Sequence, residues 1–233
     1  MKRAARVPSQ LPESLHRRLN AYALAASAAG VGVLALAQPA EGRIVYTPTH
    51  KTITFNQGIL EFDVNNDGTA DFKLIDASGT GSSCAYRTAL LVSGFSSHSH
   101  YLHNAVVGSK STSKSHAAAL RAGVRVGTAT VNGGIMALRA QKFCTTNSTT
   151  FEGAWANNGK GVRNRYLGLK FYINKQVHYG WARLNVDFRP NKRIHATLTG
   201  YAYETIPNKP IITGKTKGSG ETGTLGALAR GAK

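Results

Sequence analysis

The sequence predicts an all-β protein, an antiparallel β-sandwich of about ten strands with one short helix. Short runs of alternating or β-branched residues recur along the chain, and clusters of Gly, Asn, Asp and Ser separate them. Only residues 113–122 have the composition of a helix, and Gly123 would end it after about two turns. Short strands with almost no helix between them favour antiparallel pairing over a parallel α/β sheet.

The predicted strands follow one another from residue 43 onward. They lie at 43–47, 51–55, 59–64, 70–75, 88–95, 124–130, 135–143, 166–173, 178–188 and 195–204. The polar stretch 96–114 is predicted to be a long loop at one end of the sandwich. The predicted domain organisation is a signal peptide over residues 1–42, a β-sandwich domain over 43–213 and a flexible C-terminal tail over 214–233.

Residues 1–42 have the three parts of an export signal. Basic residues lie within the first eighteen positions, an uncharged run rich in Ala, Leu and Val follows over 19–37, and Ala40 and Gly42 form an A-x-A-like site. We predict cleavage just before Arg43 and a secreted, periplasmic or extracellular protein. The alternative for the apolar run is a transmembrane anchor. No later stretch is apolar enough to span a bilayer, so no membrane span is predicted in the mature chain.

The chain is strongly basic, with 29 Lys and Arg against 11 Asp and Glu and a formal net charge of +18. Such a charge attracts polyanions, among them nucleic acids, lipopolysaccharide and acidic polysaccharides. Export favours envelope polymers, and the sequence contains no zinc finger or RNP-type motif. We therefore predict an anionic polysaccharide or cell-envelope polymer as the partner, and no specific nucleic acid. The alternative is a surface whose charge serves solubility alone.

The two cysteines, Cys84 and Cys144, are far apart in the sequence. Their spacing excludes a closely spaced thiol pair of the zinc-finger type. In an exported protein, an even pair without a catalytic partner predicts a disulfide. The alternative is two buried free thiols, because sequence spacing does not reveal the distance between the residues.

The sharpest local motif is FDVNNDGTADF at residues 62–72. Oxygen-bearing side chains at relative positions 1, 3, 5 and 9, with glycine at position 6, match the first part of a calcium loop. The predicted Ca2+ ligands are the side chains of Asp63, Asn65, Asp67 and Asp71 and the backbone carbonyl of Thr69. Leu74 replaces the bidentate glutamate of an EF-hand, so the loop resembles those of integrin-type propeller repeats and dockerins. The alternative is an Asn-Asp-Gly hairpin turn, which uses the same residue types.

The sequence contains no standard catalytic signature. It has no G-x-S-x-G nucleophile elbow, and the GKT at 214–216 lacks the earlier glycine of a phosphate loop. A glycoside hydrolase needs two carboxylates that flank the scissile bond, and Glu152 with Asp187 or Glu204 is the candidate pair. The spacing of His98, His100 and His103 suits zinc or copper, but their Ser-rich surroundings favour a solvated loop.

Aromatic residues are concentrated in the C-terminal half of the chain. They are Trp155, Trp181, Tyr166, Tyr179, Tyr201 and Tyr203. Exposed aromatic rings can hold sugars, but aromatic residues in strands more often belong to the core or to cross-strand pairs. We predict that 178–184 and 201–205 are neighbouring parts of one buried sheet, which makes Trp181 a structural residue.

Three C-terminal segments resemble a known group of proteins. They are YLGLKF at 166–171, HYGWARL at 178–184, and GYAYET at 200–205 followed by Pro210 and Ile211. The combination is similar to uncharacterised secreted bacterial proteins that often carry a C-terminal PEP-CTERM sorting tail read by an exosortase. The resemblance covers 166–211 together with the export signal, and it implies export but no particular activity. The chain departs from the sorted members because it has no Pro-Glu-Pro, apolar tail helix or terminal Arg cluster.

The sequence therefore predicts an exported, non-catalytic β-sandwich protein that binds an envelope or extracellular polymer and holds a structural calcium ion. The alternative is a secreted carbohydrate-active hydrolase or lyase with a carboxylate site built by loops.

Overall fold

Alternating apolar and polar residues fold most of the described chain into β-strands. The structure, a computed structural model, describes residues 43–53, 58–82, 84–95, 102–110, 113–129, 131–144, 147–189 and 193–218. Contacts divide the chain into Met1–Glu41 and Gly42–Lys233, and every described residue belongs to the second unit. The predicted signal peptide and residues 219–233 of the predicted tail lie outside the described residues.

The strands are numbered in chain order. They are β1 (Ile44–Ile53), β2 (Ile59–Phe62), β3 (Phe72–Ser82), β4 (Ala85–Gly94), β5 (Ala105–Val106), β6 (Gly108–Lys110), β7 (Ser115–Ala117), β8 (Arg125–Val126), β9 (Gly133–Lys142), β10 (Ser148–Glu152), β11 (Val162–Ile173), β12 (Gln176–Phe188), β13 (Ile194–Glu204) and β14 (Ile211–Ile212). The only helical element within the described residues is a 3-10 turn at Asn157–Gly159.

Two main sheets pack against each other. The first sheet has the order β1-β13-β12-β11-β5, and all its pairs are antiparallel. The second sheet has the order β2-β3-β4-β9-β7-β6, with β10 also paired to β9. Its pairs are antiparallel except for a short parallel contact between β7 and β9. The antiparallel β-sandwich predicted from the sequence is confirmed.

The main core lies between the two sheets. Alternate residues of β11, Leu167, Leu169 and Phe171, are fully buried and belong to this core. Leu74 of β3 and Met136 of β9 reach the same core from the second sheet. Each strand therefore contributes every second side chain, as a sheet with a period of two residues requires.

The opposite face of the first sheet is also covered. Two segments, 118–129 and 206–217, lie over it and are joined by the short antiparallel pair β8–β14; we call them the cover. Val126 and Ile211 of the cover pack with Tyr166, Trp181 and Ala202 of the sheet in a second hydrophobic cluster. The first sheet is thus buried on both faces, which the two-layer prediction did not include.

Strands β12 and β13 pair over the segments that resemble the PEP-CTERM-associated group. Trp181 is opposite Ala202, and Gly180 is opposite Tyr203. Trp181 is 1% exposed, and its indole Nε1 donates a hydrogen bond to the Lys215 carbonyl at 3.2 Å. The prediction that these segments are neighbours and that Trp181 is structural is confirmed.

The predicted helix at 113–122 is wrong. Ser115–Ala117 form strand β7, which pairs with β6, and Leu120 bridges to Tyr166 of β11. This segment borders the second sheet and the first, so pairing with neighbouring backbone satisfies its polar groups outside a helix. Tertiary pairing overrides a composition that only weakly favours a helix.

The predicted loop at 96–114 is a loop only in part. Within the described residues 102–110 it contains β5 and β6, and Ala105 and Val106 are buried in the fold. Two-residue strands leave no periodic pattern in the sequence, because the alternation needs several residues to be recognised. The predicted strands at 43–47 and 51–55 also merge, since β1 continues through an irregularity between Pro48 and Lys51.

The predicted Cys84–Cys144 disulfide is confirmed. The two sulfur atoms are bonded, and the Cα atoms are 5.2 Å apart. The bond links the beginning of β4 to the end of β9, where Ala85 is opposite Lys142. Closing a loop of 60 residues is worth about 4 kcal/mol in the chain-entropy model.

We expect Trp181→Ala to lower the free energy of unfolding by about 3–5 kcal/mol, because it empties the centre of the second hydrophobic cluster. Phe143→Ala removes an aromatic ring that is 48% exposed, and it should cost much less. Urea unfolding of both variants measures the difference. Equal losses in the two variants would contradict a structural role for Trp181.

Candidate functional site

Glu152, a candidate carboxylate of the hydrolase alternative, is held by two basic side chains. Lys114 Nζ donates to both carboxylate oxygens at 2.8 and 2.9 Å, and His116 Nε2 lies 2.9 Å from Oε1. The bond from Lys114 holds the pKa of Glu152 below its ordinary value, with a smaller contribution from His116. A general acid needs a raised pKa, so this environment does not suit Glu152 for proton donation.

Asp187, the second candidate carboxylate, has a different partner from Glu152. The rings of Phe151 and Phe188, the neighbours of these two residues in the chain, are in edge-to-face contact with centroids 5.2 Å apart. Asp187 accepts a bond from Arg163 at 3.0 Å. Successive side chains of a strand point to opposite faces, so two rings that meet in the core direct Glu152 and Asp187 away from each other, each toward its own cation.

Glu204 lies far from Asp187. Asp187 is opposite His195 at the start of the 11-residue strand β13, and Glu204 ends that strand. At about 3.3 Å per residue, the two ends are roughly 30 Å apart. Glu204 is buried and binds Lys209 at 3.1 Å. The structure therefore does not bring Asp187 and Glu204 together.

The five predicted calcium ligands lie in one loop, residues 63–71, which joins β2 to β3; we call it the acidic loop. The backbone N–H groups of Asn66 and Gly68 both donate to the Asp63 carboxylate at 2.7 Å. Thr69 N–H donates to Asp67 at 2.8 Å. Asn66 has φ of 60° and Gly68 of 89°, a left-handed conformation that Asn and Gly adopt most readily.

Asp71 is the most perturbed carboxyl group of the acidic loop. It is 7% exposed, and its Oδ2 accepts a bond from Val64 N–H at 2.8 Å. The pKa of Asp71 is raised to about 6, mainly by burial and in part by the charges of Asp63 and Asp67, while the bonds from Val64 and Asn104 act in the opposite direction. Asp71 is therefore the carboxyl group of this loop that takes up a proton most readily.

Asn104 connects the acidic loop to the first sheet, and no sequence motif marked it as a site residue. Its Nδ2 donates to the Asp71 carbonyl at 3.1 Å and to Asp71 Oδ1 at 3.3 Å, and strand β5 begins at the next residue. Asn104 is 3% exposed, yet its Oδ1 has no hydrogen-bond partner. Asn65 Oδ1, inside the loop, is also buried without a partner.

The acidic loop is a hairpin turn in which some carboxylate oxygen atoms can still accept further bonds. In the part of the chain that the structure describes, no three His, Cys, Asp or Glu side chains form a group arranged to hold a metal ion. Asp63 and Asp67 each accept two bonds, from Asn66 and Gly68 and from Thr69 and Asn65. An ionised carboxylate has about four lone-pair positions, so both groups can accept more.

The negative charge of the acidic loop acts on two tyrosines of the first sheet. Burial raises the pKa of Tyr201 and of Tyr203, and the negative charges of Asp63 and Asp71 raise both further. The ring of Tyr201 also packs against Phe62 at a centroid distance of 5.9 Å. The loop therefore sits at the end of the sandwich where both sheets meet.

Most of the predicted aromatic group is core. Trp155, Trp181, Tyr166 and Tyr201 are each at most 7% exposed, so their rings do not form a platform for sugars. Tyr179 and Tyr203 are partly buried. Of the histidine run, His98 and His100 lie outside the described residues, and His103 is exposed.

The charged residues of the cover are all basic. Its two segments contain five basic residues and no Asp or Glu: Arg121, Arg125, Lys209, Lys215 and Lys217. Lys209 binds Glu204, whereas the other four are exposed and have no ion pair within the described part of the chain. The two carboxylates of the first sheet, Asp187 and Glu204, are both paired with cations. The field above the cover is therefore positive and largely uncompensated.

No family model matches the chain, and no curated protein or solved structure is significantly similar to it. Within the described residues, no helix has the length and apolarity needed to cross a membrane.

The raised pKa of Asp71 predicts a stability that depends on pH. An aspartate in the unfolded chain titrates near 3.9, and in the folded chain near 6, so the folded state binds the proton more tightly. This stabilisation is complete at a pH below the pKa of Asp71 in the unfolded chain. It is lost as the pH rises through the pKa of Asp71 in the folded chain. In the presence of a chelator, protonation of Asp71 should raise the free energy of unfolding by about 2 kcal/mol as the pH falls from 7 to 4.5. Asp71→Asn should remove that gain; parallel pH profiles for the two proteins would contradict it.

Proposed function

We propose that the chain is an exported, non-catalytic β-sandwich protein that binds an anionic extracellular or cell-envelope polymer through the cover. The observation that carries the proposal is the charge of the cover, with five basic residues and no carboxylate on one layer. Arg and Lys bind carboxylate, sulfate and phosphate groups by charge-assisted hydrogen bonds. A row of such groups on a polymer can contact several of these cations at once, which raises the avidity without further contacts.

Export supports this choice of partner. The basic, apolar and small-residue regions of 1–42 have the order of a signal peptide, and the resemblance to secreted proteins with PEP-CTERM tails agrees with it. The Cys84–Cys144 bond suits an oxidising compartment. A protein outside the cytoplasm meets acidic polysaccharides rather than nucleic acid.

The geometry favours binding over hydrolysis. Glu152, Asp187 and Glu204 are each bound to a cation, and Asp187 and Glu204 lie at opposite ends of a strand. A hydrolase needs two carboxyl groups on either side of one bond, within about 10 Å of each other. The exposed cations of the cover suit retention of a polymer, because they contribute charge without an acid and base pair.

We further propose that the acidic loop binds Ca2+ as a structural ion. Asp63, Asn65, Asp67 and Asp71 would supply side-chain oxygens, and Thr69 its carbonyl. The buried Oδ1 of Asn65, which has no partner, lies at one of these positions. The ion would neutralise three neighbouring carboxylates and, through Asp71 and Asn104, stiffen the junction between the two sheets.

Polymer binding should depend on salt and on the cover. In chelator, so that calcium does not crosslink the polymer, the protein should bind polygalacturonate, and 0.5 M NaCl should weaken binding roughly tenfold relative to 0.05 M. The double variant Arg121→Gln/Arg125→Gln should weaken polymer binding. The control double variant Arg87→Gln/Lys142→Gln removes the same charge from the second sheet, and its loss should be several-fold smaller. Biolayer interferometry measures both pairs.

Equal losses in the two double variants would contradict binding through the cover. Release of unsaturated or reducing-end products during the incubation would favour the lyase or hydrolase alternative instead.

Calcium should raise the melting temperature. At one hundred times its dissociation constant, an ion that binds only the folded state stabilises by about 2.7 kcal/mol. Asp67→Ala should abolish the gain. Asn66→Gly is the matched control, because residue 66 is left-handed and its side chain is not a proposed ligand. Identical melting curves in millimolar calcium and in chelator would contradict the site.

A further inference from the structure

A cleft lies where the first strand of the first sheet meets the end of the cover. Its volume is about 370 Å³, and it is lined by Arg43, Ile44, Val45, Tyr46, Thr216 and Lys217. Arg43 and Lys217 come from the two ends of the described chain, and both are exposed. The lining includes two cations, a hydroxyl and a tyrosine, and no carboxylate.

The floor of the cleft is fixed by packing. The ring of Tyr46 lies 5.8 Å from the ring of Trp181, and it passes directly over Gly200. A Cβ atom at Gly200 would be 2.7 Å from the Tyr46 hydroxyl, so glycine is needed there for the ring to lie against the sheet. Tyr46 is therefore held in one position before any ligand binds.

Hydrogen bonds fix the two walls. Arg43 N–H donates to Thr205 Oγ1 at 3.1 Å, and Thr205 N–H donates to the Arg43 carbonyl at 3.0 Å. On the other wall, the Lys215 carbonyl accepts the bond from Trp181, and Lys215 N–H donates to Ile212 at 3.1 Å. The backbones of Arg43 and Lys215 are thus held by hydrogen bonds, and Lys217 follows Lys215 by two residues. Walls ordered before binding lower the entropy that a ligand loses.

No described carboxylate neutralises these cations. Glu204 is the nearest acid by strand register, since it is opposite Ile44. Its carboxylate accepts a bond from Ile206 N–H at 3.2 Å and binds Lys209 at 3.1 Å. Neither Arg43 nor Lys217 belongs to a described ion pair. Both side chains are therefore available to an anion from solution.

Strand β1 adds neutral hydrogen-bonding groups. Among the described strands, it is the outermost of the first sheet and pairs only with β13. One side of its backbone therefore has no strand partner, and N–H and C=O groups along it can bind sugar hydroxyls. The cleft combines these groups with Thr216 and the two cations.

We propose that this cleft binds a single uronate residue of the anionic polymer. Arg43 would bind the carboxylate through its planar guanidinium, Lys217 would add a second positive charge, and Thr216 with the β1 backbone would bind ring hydroxyls. Ligand pockets measure about 300–1,000 Å³, and this cleft is at the small end, which suits one sugar unit. The inference rests on the proposed polymer binding and specifies which part of the surface selects the sugar.

The test uses trigalacturonate, which is too short to follow the whole cover, with galactotriose as its neutral counterpart. Isothermal titration of the full secreted chain, in chelator, should show one saturable site for trigalacturonate and no binding of galactotriose. Arg43→Gln and Lys217→Gln should each weaken that site at least about tenfold, a loss expected for one charge-assisted hydrogen bond. Arg125→Gln, which removes the same charge from the cover outside the cleft, should change it less than about twofold.

The outcomes separate the two proposals. Equal losses for Arg43→Gln, Lys217→Gln and Arg125→Gln would overturn the cleft, while polygalacturonate binding would still support the cover. Tighter binding of a sulfated or phosphorylated trisaccharide than of trigalacturonate would overturn the assignment to uronate. If polygalacturonate itself fails to bind, the proposed function fails before the cleft is in question.

Discussion

The fold depends on burying both faces of the central strands of the first sheet. In β11 the residues Tyr166 to Leu169 are all buried, because Leu167 and Leu169 enter the main core while Tyr166 packs under the cover. The sheet therefore needs a third layer. The cover provides it with only a few apolar contacts, of which Val126 and Ile211 are the centre. Without them the indole of Trp181 and the ring of Tyr166 would be left in water.

This constraint also determines how charge is distributed. A two-stranded cover must turn its apolar residues toward the sheet, so its remaining side chains face solvent. Its exposed side chains include the cations Arg121, Arg125, Lys215 and Lys217. The Trp181–Lys215 bond holds the end of the cover against β12. The binding face is thus a consequence of packing: the residues that bury Trp181 also place Lys217 beside Arg43. The acidic loop lies instead at the end where the sheets meet, beside Tyr201 and Asn104.

Long strands and the disulfide were predictable from the sequence, and short elements were not. The alternation over 166–173 and 178–188 extends far enough to be recognised, and an even pair of cysteines without a catalytic partner predicts a disulfide in a chain with an expected export signal. Strands β5, β8 and β14 have two residues each, so no period exists in them. The run of four residues without a polar side chain on either face of the strand, YLGL at 166–169, was the available sign of a sheet covered on both sides. The contact of Asn104 with Asp71 joins segments that are far apart in the sequence, and so does the cleft between Arg43 and Lys217. No local sequence pattern reveals such contacts.

The absence of acidic residues from the cover has a physical consequence for the proposed polymer binding. Three carboxylates beside the cover would offer internal partners to Arg121, Arg125, Lys215 and Lys217, and every such pair would have to be broken before a polyanion could bind. None of the described ion pairs joins the acidic loop to the cover, so these cations have no partner to give up before they bind a polyanion. The acidic loop likewise has no cation from the protein within its described hydrogen-bond network. Neutralising it then requires either a proton, which Asp71 accepts at mildly acidic pH, or a divalent ion from the medium.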